Sequence, residues 1–372
     1  MNLLLNASNL RHGGGRTVAL QLISALAEQR PKDTLYVLAP KSIGYERLTN
    51  HSNIILLLLP NSYHYSWATK LWYMHQVFPK WCKLYKIDKV VSLGNAAFPS
   101  KRRPQLLYIQ LPILAYHESS AWKTMPFKAF IRNSLMDTYV ALHMKYASAY
   151  AMQTEVMRTR IIERFKLDPE RVYLLPNAPL EPEIDKISPL PLPLKPLRLL
   201  FLSHYYPHKS FEMLPDLAKI LKERNLPVQI TLTLSERESP AAATVLQALR
   251  GCENIVNIGP VALKDVGEVV SSHHGIFLPS LMESFSGAYA EALLHRRLIF
   301  TSHYDFATVL LGDAAFYFDP LKPEHIASVF EEALNDKKLI SNKLELIEAA
   351  AQKAPRVNEV GQLFSEIIDT FT

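Results

Sequence analysis

The chain of 372 residues contains only two cysteines, Cys82 and Cys252, which lie far apart and share no partner motif. This scarcity excludes a disulfide framework and a cysteine-based zinc site, and it fits a reducing, cytoplasmic setting. No stretch reaches the roughly eighteen consecutive apolar residues that a membrane-spanning helix needs. The first residues, Met-Asn-Leu-Leu-Leu-Asn, lack the basic leader and long apolar run of a signal peptide, so we expect none.

Several ligand-binding patterns are also missing. The sequence has no Asp-x-Asp, no Walker A pattern and no His, Cys and Asp cluster with metal-ligand spacing, so we expect no metal and no resident cofactor. The net charge of +6 is spread along the chain without a run long enough for a nucleic-acid-binding arm. We therefore expect no nucleic-acid partner.

Strands and helices are predicted to alternate from the start of the chain. Leu3–Leu5 is an apolar strand, and a glycine loop at 11–17 follows it. Val18, Leu22 and Leu26 then repeat every four residues, which predicts a helix with one apolar face before a strand at Thr34–Leu38. This unit is the building block of a doubly wound α/β fold. Further strands are predicted at 54–59, 89–93, 106–109 and 149–153, with a helix at 134–149.

Residues 179–196 carry six prolines and cannot form a regular helix or a central strand. We interpret this segment as a linker between two domains; the alternative is a long surface loop within one domain. Strands and helices alternate again after it. The predicted division is an N-terminal domain at 1–178, the linker at 179–196, a C-terminal domain at 197–355 and a final helical segment at 356–372.

The glycine triplet Gly13–Gly15 lets the backbone approach a phosphate or a sugar closely. It is a poor dinucleotide fingerprint, because Val18 occupies the place of the third glycine in G-x-G-x-x-G. The second strand also ends at Ala39-Pro40 without a ribose-binding acid. Both defects count against a nucleotide-dependent oxidoreductase, which remains an alternative.

The most informative segment is 276–291, where a strand ends at Pro279-Ser280 and Glu283 and Glu291 flank seven residues. Both carboxylates fall near the start of a helix at the carboxyl end of a parallel strand, where ligands bind in open α/β sheets. Free N–H groups there favour an anion, and carboxylates accept hydrogen bonds from sugar hydroxyls. The alternative is an acidic first turn that stabilises the helix dipole. Lys209 follows another strand and a proline turn, where its charge can meet a phosphate; alternatively it is a solvated surface lysine.

Together, the two spaced glutamates, Lys209, the N-terminal glycine loop and the Gly-Asp-Ala-Ala-Phe-Tyr-Phe-Asp-Pro stretch at 312–320 resemble the family-4 retaining glycosyltransferases of GT-B fold. The order of these segments matches along almost the whole chain. The resemblance implies two Rossmann-like doubly wound domains facing a cleft, with a nucleotide-sugar donor on the C-terminal domain and the acceptor on the N-terminal one. It also implies that the helix at 356–370 crosses back to the N-terminal domain.

The resemblance assigns roles to individual residues. Glu291 is expected to bind the ribose hydroxyls and Glu283 the donor sugar, while Lys209 holds the diphosphate. His204 stands near the place of a family arginine and is expected to share the phosphate. The donor segment following Glu283 comprises Ser284, Phe285, Ser286 and Gly287.

The acceptor side is expected to include Gly13, Gly14 and Gly15, with Gly15 at the reacting centre. Many family members have a histidine after the strand at 106–109, but Gln110 stands there in this chain, and His117 is a second candidate. We predict a metal-independent hexosyltransferase of bacterial envelope polysaccharide synthesis, O-antigen or capsule, whose acceptor is a glycan or a polyprenyl-linked oligosaccharide. The alternative within the same fold is a non-catalytic nucleotide-sugar-binding protein.

A stripe of apolar and aromatic residues at helical spacing lies between residues 67 and 89, accompanied by five lysines. The stripe consists of Trp67, Leu71, Met74, Phe78, Trp81 and Tyr85. A basic, aromatic amphipathic helix is typical of a membrane interface, which would place the protein peripherally on the inner face of the plasma membrane. Residues from Trp122 to Arg132 form a second such patch. The alternative is a helix that packs on the sheet of the first domain.

Overall fold

The computed structural model describes residues 1–11, 13–60, 62–177, 189–191 and 193–372, without the side chains of His64, Tyr65 and Trp67. Most of the predicted linker lies outside the described residues. The described residues divide into a first unit, drawn from 1–116, 131–178 and 355–372, and a second unit, drawn from 117–130 and 179–354. The segment 117–130 and the final helix therefore belong to the opposite unit from the chain that precedes them.

The first half of the chain contains seven strands and seven helices among the described residues. The strands are β1 (Asn2–Asn6), β2 (Thr34–Pro40), β3 (Ile54–Leu59), β4 (Lys89–Ser92), β5 (Gln105–Ile109), β6 (Ala149–Met152) and β7 (Val172–Leu174). The helices are α1 (Gly13–Gln29), α2 (Ser62–Tyr65), α3 (Trp67–Trp72), α4 (Phe78–Leu84), α5 (Ala121–Thr124), α6 (Phe127–Met144) and α7 (Glu155–Phe165), and a π-helical turn at Tyr73–Val77 joins α3 to α4.

The second half contains six strands and eight helices among the described residues. The strands are β8 (Leu197–Phe201), β9 (Val228–Leu232), β10 (Ile255–Asn257), β11 (Gly275–Leu278), β12 (Leu298–Ser302) and β13 (Phe316–Phe318). The helices are α8 (Leu214–Glu223), α9 (Pro240–Ala248), α10 (Val266–Ser271), α11 (Gly287–Leu294), α12 (Asp305–Leu311), α13 (Pro323–Asn335), α14 (Lys337–Lys353) and α15 (Val357–Thr370).

Each unit is built around one parallel sheet. Within the described residues, the strand order is β3-β2-β1-β4-β5-β6-β7 in the first unit and β10-β9-β8-β11-β12-β13 in the second. Every neighbouring pair is parallel, and Leu5 of β1, for example, aligns with Val37 on one side and Val91 on the other. In both sheets the order reverses beside the first strand. This reversal is the topological switch point at which doubly wound folds bind ligands.

Apolar side chains cover both faces of the first sheet, which explains why its central strands show continuous apolar runs. One face of the first unit packs Leu3, Leu5 and α1 against Phe364 and Ile368 of α15. Arg30, the residue directly after α1, also donates to the Asp369 carboxylate at 2.9 Å. In the second unit, Phe201 stacks on Phe211 with 4.0 Å between ring centroids.

The structure differs from the sequence prediction at several points in the first unit; for example, the helix predicted at 134–149 spans Phe127–Met144, and α7 was not predicted. The predicted glycine loop at 11–17 is shorter, because α1 already begins at Gly13, whose φ is 65°. Glycine costs little in a first helical turn, where the N–H groups lack intrahelical partners in any case. The prediction also missed β7, a three-residue strand at the sheet edge whose Leu174 is 38% exposed and therefore shows no apolar pattern.

The apolar stripe at 67–85 packs largely inward. Phe78 is 1% exposed in a core cluster of the first unit, and Met74, Trp81 and Tyr85 pack against that cluster. The alternative interpretation, a helix that packs on the sheet, therefore describes this face of the segment. No described helix has both the length and the apolar character needed to cross a membrane.

Candidate functional site

The second unit brings Lys209 and Glu283 together at the switch point of its sheet. Lys209 follows β8 and Glu283 follows β11, the two strands that flank the reversal of strand order. The ammonium of Lys209 donates to Oε1 of Glu283, and the two side chains are only 10% and 8% exposed. Since the carboxyl ends of adjacent parallel strands meet at one sheet edge, residues 74 positions apart in sequence form one ion pair.

The loops that carry this pair are fixed by backbone hydrogen bonds. The N–H of Leu281 donates to the carbonyl of His208 at 2.7 Å. Ser119, from the segment 117–130, donates its hydroxyl to the carbonyl of Leu281 at 2.9 Å. Ser210 follows Lys209 with a left-handed φ of 56°, which turns the chain sharply into α8. The ion pair is thereby held by two anchored loops.

The charge state of the pair follows from its surroundings. Burial is the largest single influence on the Glu283 carboxyl and would raise its pKa, but the charge and hydrogen bond of Lys209, together with His208 and Ser280, hold that pKa below its ordinary value. Burial lowers the pKa of His208 to about 4, so its imidazole is neutral at neutral pH. A buried ion pair gives little net stability, because both charges lose their hydration. Its position in a sheet switch point therefore favours a binding role.

The start of α11 lies directly after Glu283. Its first residues are Ser286 and Gly287, and the Ser286 side chain forms no capping hydrogen bond. An added Cβ on Gly287 would meet nothing within 4 Å, so this end of the helix is sterically open. The unpaired N–H groups of a helix start and its dipole favour an anion at this place. Ser284 and Ser286 are buried beside it, and Phe285 is half-buried.

Glu291 is placed on α11, one helical turn and a half further along. Burial raises the pKa of its carboxyl to about 7, while its side chain keeps 25% exposure. The ring of His295 lies 3.8 Å from Glu291 Oε2 and contacts the hydroxyl of Ser271 through Nδ1 at 3.0 Å. Glu291 therefore has no strong cationic partner among these contacts, and its carboxyl can accept hydrogen bonds from the hydroxyls of a ligand.

His204 lies at the surface of the second unit beside a carboxylate. Its side chain is 50% exposed, and Nδ1 lies 3.0 Å from Oε1 of Glu238, which also accepts from the N–H of Tyr205. Nearest to the Lys209–Glu283 pair stands His208 instead. Both histidines follow the same strand, and their spacing alone does not distinguish them. Ser210 and His295 were not predicted, because hydroxyl and imidazole groups in loops carry no periodic pattern.

In the first unit, Gly15 and Gln110 converge near the switch point of the other sheet. An added Cβ on Gly15 would lie 3.6 Å from Oε1 of Gln110 and 3.3 Å from Leu10. Gln110 is anchored by its N–H to Asn95 and by its amide to the Leu93 carbonyl at 3.1 Å. Gly13 starts α1, and an added Cβ on Gly14 would meet nothing within 4 Å.

His117, in contrast, does not belong to the same unit as Gly13, Gly14 and Gly15. The sequence analysis assigns it to the N-terminal domain, whereas the structure groups it with the second unit. Its ring centroid lies 5.8 Å from that of Trp122. The reason is that 117–130 packs with the residues around Leu281, as the Ser119 hydrogen bond shows. Among the described residues, no three His, Cys, Asp or Glu side chains cluster as metal ligands would.

Comparison with known proteins gives similarity at the level of structure alone. No family model matches the sequence. No curated protein matches it either. Solved structures do. Anabaena HepE in complex with UDP and glucose superimposes with a TM-score of 0.73 and 16% identity, covering 100% of both chains.

Two further structures are similar over the same extent. Sucrose-phosphate synthase from Thermosynechococcus elongatus gives a TM-score of 0.76 at 12% identity, covering 99% of this chain and 98% of the other. A glycosyltransferase from Rickettsia africae gives 0.67 at 14% identity, covering 99% of each. With the two doubly wound sheets, these similarities confirm the predicted fold class, the α/β GT-B fold with two Rossmann-like domains.

Proposed function

We propose that this chain is a glycosyltransferase that takes its sugar from a nucleotide-sugar donor bound to the second unit. The observation that carries the proposal is the buried Lys209–Glu283 pair beside the open start of α11. HepE has been solved with UDP-glucose, and a similar Escherichia coli structure with UDP-2-fluoro glucose. Those ligands make a nucleotide sugar the natural candidate for this site.

The diphosphate would lie between Lys209 and the N–H groups of Phe285, Ser286 and Gly287. When the sugar leaves, negative charge develops on the β-phosphate, and a preorganised cation and helix dipole stabilise it. We infer that Lys209 is held in place by Glu283 before the donor binds, which removes the cost of ordering a long side chain. Glu283 then accepts hydrogen bonds from the donor sugar, and His204, on the exposed side of the same loop, is a further phosphate contact.

Glu291 would bind the ribose. Two adjacent ribose hydroxyls are donors, and a carboxylate accepts both of them. Because burial already raises its pKa to about 7, the ligand's hydroxyls would replace the hydration that the folded protein removes. On the first unit, Gly15 and Gln110 would contribute to the acceptor side, as the resemblance implies.

The finer assignment rests on the sequence motif. The spacing of Glu283 and Glu291 supports a retaining, metal-independent transfer of the family-4 type, with the leaving phosphate accepting the acceptor's proton. We propose a hexose as the transferred sugar and a polyprenyl-linked glycan of the bacterial envelope as acceptor, which places the protein in the cytoplasm at the inner membrane face. A non-catalytic nucleotide-sugar-binding protein is the second candidate, favoured by the fact that Glu283 is already paired.

A thermal-shift panel of UDP- and GDP-sugars tests the donor site. At a hundred times its dissociation constant, a donor stabilises the fold by about 2.7 kcal/mol, which raises Tm by roughly 5–10 °C for a unit of this size. Lys209→Met should abolish the shift. Lys219→Met is the matched control, because Lys219 lies in the same unit and is 75% exposed.

Turnover separates the two candidates. An enzyme releases nucleoside diphosphate when a lipid-linked glycan is added, and a binding protein does not. If no nucleotide sugar shifts Tm, or if Lys209→Met shifts as the wild type does, the donor site is misplaced.

A further inference from the structure

Helix α6 presents an apolar face to solvent. Phe127, Ile131, Leu135 and Leu142 fall at steps of four, four and seven residues, which is one side of a helix. Their exposed fractions are 76%, 42%, 66% and 59%. A helix on the surface of a globular protein normally exposes its polar side instead. Exposure of this extent marks a contact surface.

The opposite side of α6 is fully satisfied. Val140 and Met144 are buried. The two carboxylate oxygens of Asp137 accept hydrogen bonds from the two terminal guanidinium nitrogens of Arg164, each at 2.8 Å. The opposite side of α6 therefore packs against the protein, and the exposed apolar residues lie on the side of the helix that faces solvent.

The segment that carries these exposed apolar residues and the segment 61–87 are both basic. From residue 119 to 154 the only acidic residue is Asp137, which is paired with Arg164, and residues 61–87 contain none. The basic side chains of these two segments are Lys70, Lys80, Lys83, Lys86, Lys123, Lys128, Arg132 and Lys145.

The π-helical turn adjoins α6 on a different side from this face. The hydroxyl of Tyr139 on α6 donates to the sulfur of Met74 at 3.5 Å. Trp72, next to that turn, is 56% exposed, and Leu71 is 37% exposed. The first unit therefore exposes further apolar side chains in this segment, although no contact among the described residues joins them to the apolar face of α6.

We propose that the apolar face of α6 in the first unit, made by Ile131, Leu135 and Leu142, binds the headgroup region of an anionic lipid bilayer. An apolar face on a basic segment whose one acid is paired fits that partner, because the apolar side chains enter the interface while the basic ones meet lipid phosphates. The inward stripe at 67–85 is then structural, and α6 carries the contact. The proposal stands apart from the transferase chemistry, because lipid binding needs no donor.

Flotation with vesicles of phosphatidylcholine containing 30% phosphatidylglycerol tests this surface. The wild type should float with these vesicles at low salt and dissociate as salt rises. Leu135→Glu combined with Leu142→Glu should lower the partition coefficient at least tenfold. Val309→Glu is the matched control, because Val309 is a 63% exposed apolar residue on a helix of the second unit and should leave flotation unchanged. Arg132→Glu should weaken binding and flatten its salt dependence.

Three results would overturn the proposal. The first is equal flotation of the wild type and the Leu135/Leu142 variant. The second is equal binding to vesicles of phosphatidylcholine alone. The third is a wild-type dimer that the variant converts to a monomer without any lipid binding, which would make the face an interface between copies. Circular dichroism of each variant verifies folding, and the donor panel reports separately on the transferase.

Discussion

Replacement of Glu291 by glutamine should stabilise the protein at alkaline pH. Burial raises the pKa of this carboxyl from an ordinary 4.5 to about 7. Below pH 4.5 the carboxyl is protonated in both the folded and the unfolded state and does not lower the free energy of unfolding. Between pH 4.5 and 7 the unfolded state loses its proton while the folded state keeps it, so stability falls. Above pH 7 the full penalty is present.

The size of the penalty follows from the shift. Each pKa unit corresponds to 1.36 kcal/mol, so the shift is equivalent to about 3 kcal/mol, an upper bound for a side chain that keeps 25% exposure. Glutamine retains the shape and carries no charge to desolvate. The free energy of unfolding of Glu291→Gln should therefore exceed that of the wild type by about 2–3 kcal/mol more at pH 8 than at pH 5.

Urea denaturation of both proteins at several pH values measures this difference, since contributions of other groups cancel between them. Glu345→Gln serves as control, because Glu345 lies exposed on α14. Parallel pH profiles for wild type and Glu291→Gln would refute the reasoning. The same variant should lose affinity for a nucleotide sugar, and a gain in stability together with a loss of binding is what a ligand-binding carboxylate predicts.

Three other outcomes follow from the site. Lys209→Met and Glu283→Gln should each lower the free energy of unfolding by about 3–5 kcal/mol, because each leaves a buried charge alone, and the double variant should cost less than their sum in a denaturation cycle. Affinity for a nucleotide sugar should rise with pH up to about 7, because ribose hydroxyls donate hydrogen bonds to the ionised form of Glu291. Calorimetry in buffers of different ionisation enthalpy should detect the proton that Glu291 releases on binding. Affinity that does not change with pH would contradict this. Gly275→Ala should destabilise the second unit by about 1–3 kcal/mol or more in the same urea assay, because its Cβ would stand 2.5 Å from the backbone oxygen of Leu298, and wild-type stability would disprove the contact.

Local patterns identified most of the elements because their causes are local. An apolar run predicted β3 at its observed bounds, Ile54–Leu59, because most of its side chains pack against the two core clusters of the first unit. The Ser-Phe-Ser-Gly segment predicted a helix near residue 287 because small and polar residues favour a helix start. The pattern failed at β7, because a strand of three residues, one buried, one partly buried and one exposed, is too short to give a periodic signal.

The sequence showed an amphipathic pattern at 67–85 but did not show what its apolar face contacts. Periodicity states that a helix has an apolar face and leaves open whether that face meets protein or lipid. The burial of Phe78 decided for protein, while the exposure of Leu135 shows that the apolar face of α6 continues beyond the patch from Trp122 to Arg132 that the sequence indicated.

The sequence by itself determined the alternation of strands and helices, the two-domain division and the residue types available for an anion and a sugar, because these depend on neighbours in the chain. Tertiary structure alone decided that Lys209 meets Glu283, that His204 turns to Glu238 and that residues 117–130 join the second unit. The physical reason is that strand order sets which loops meet at a sheet edge, and burial sets the charge of each group that meets there.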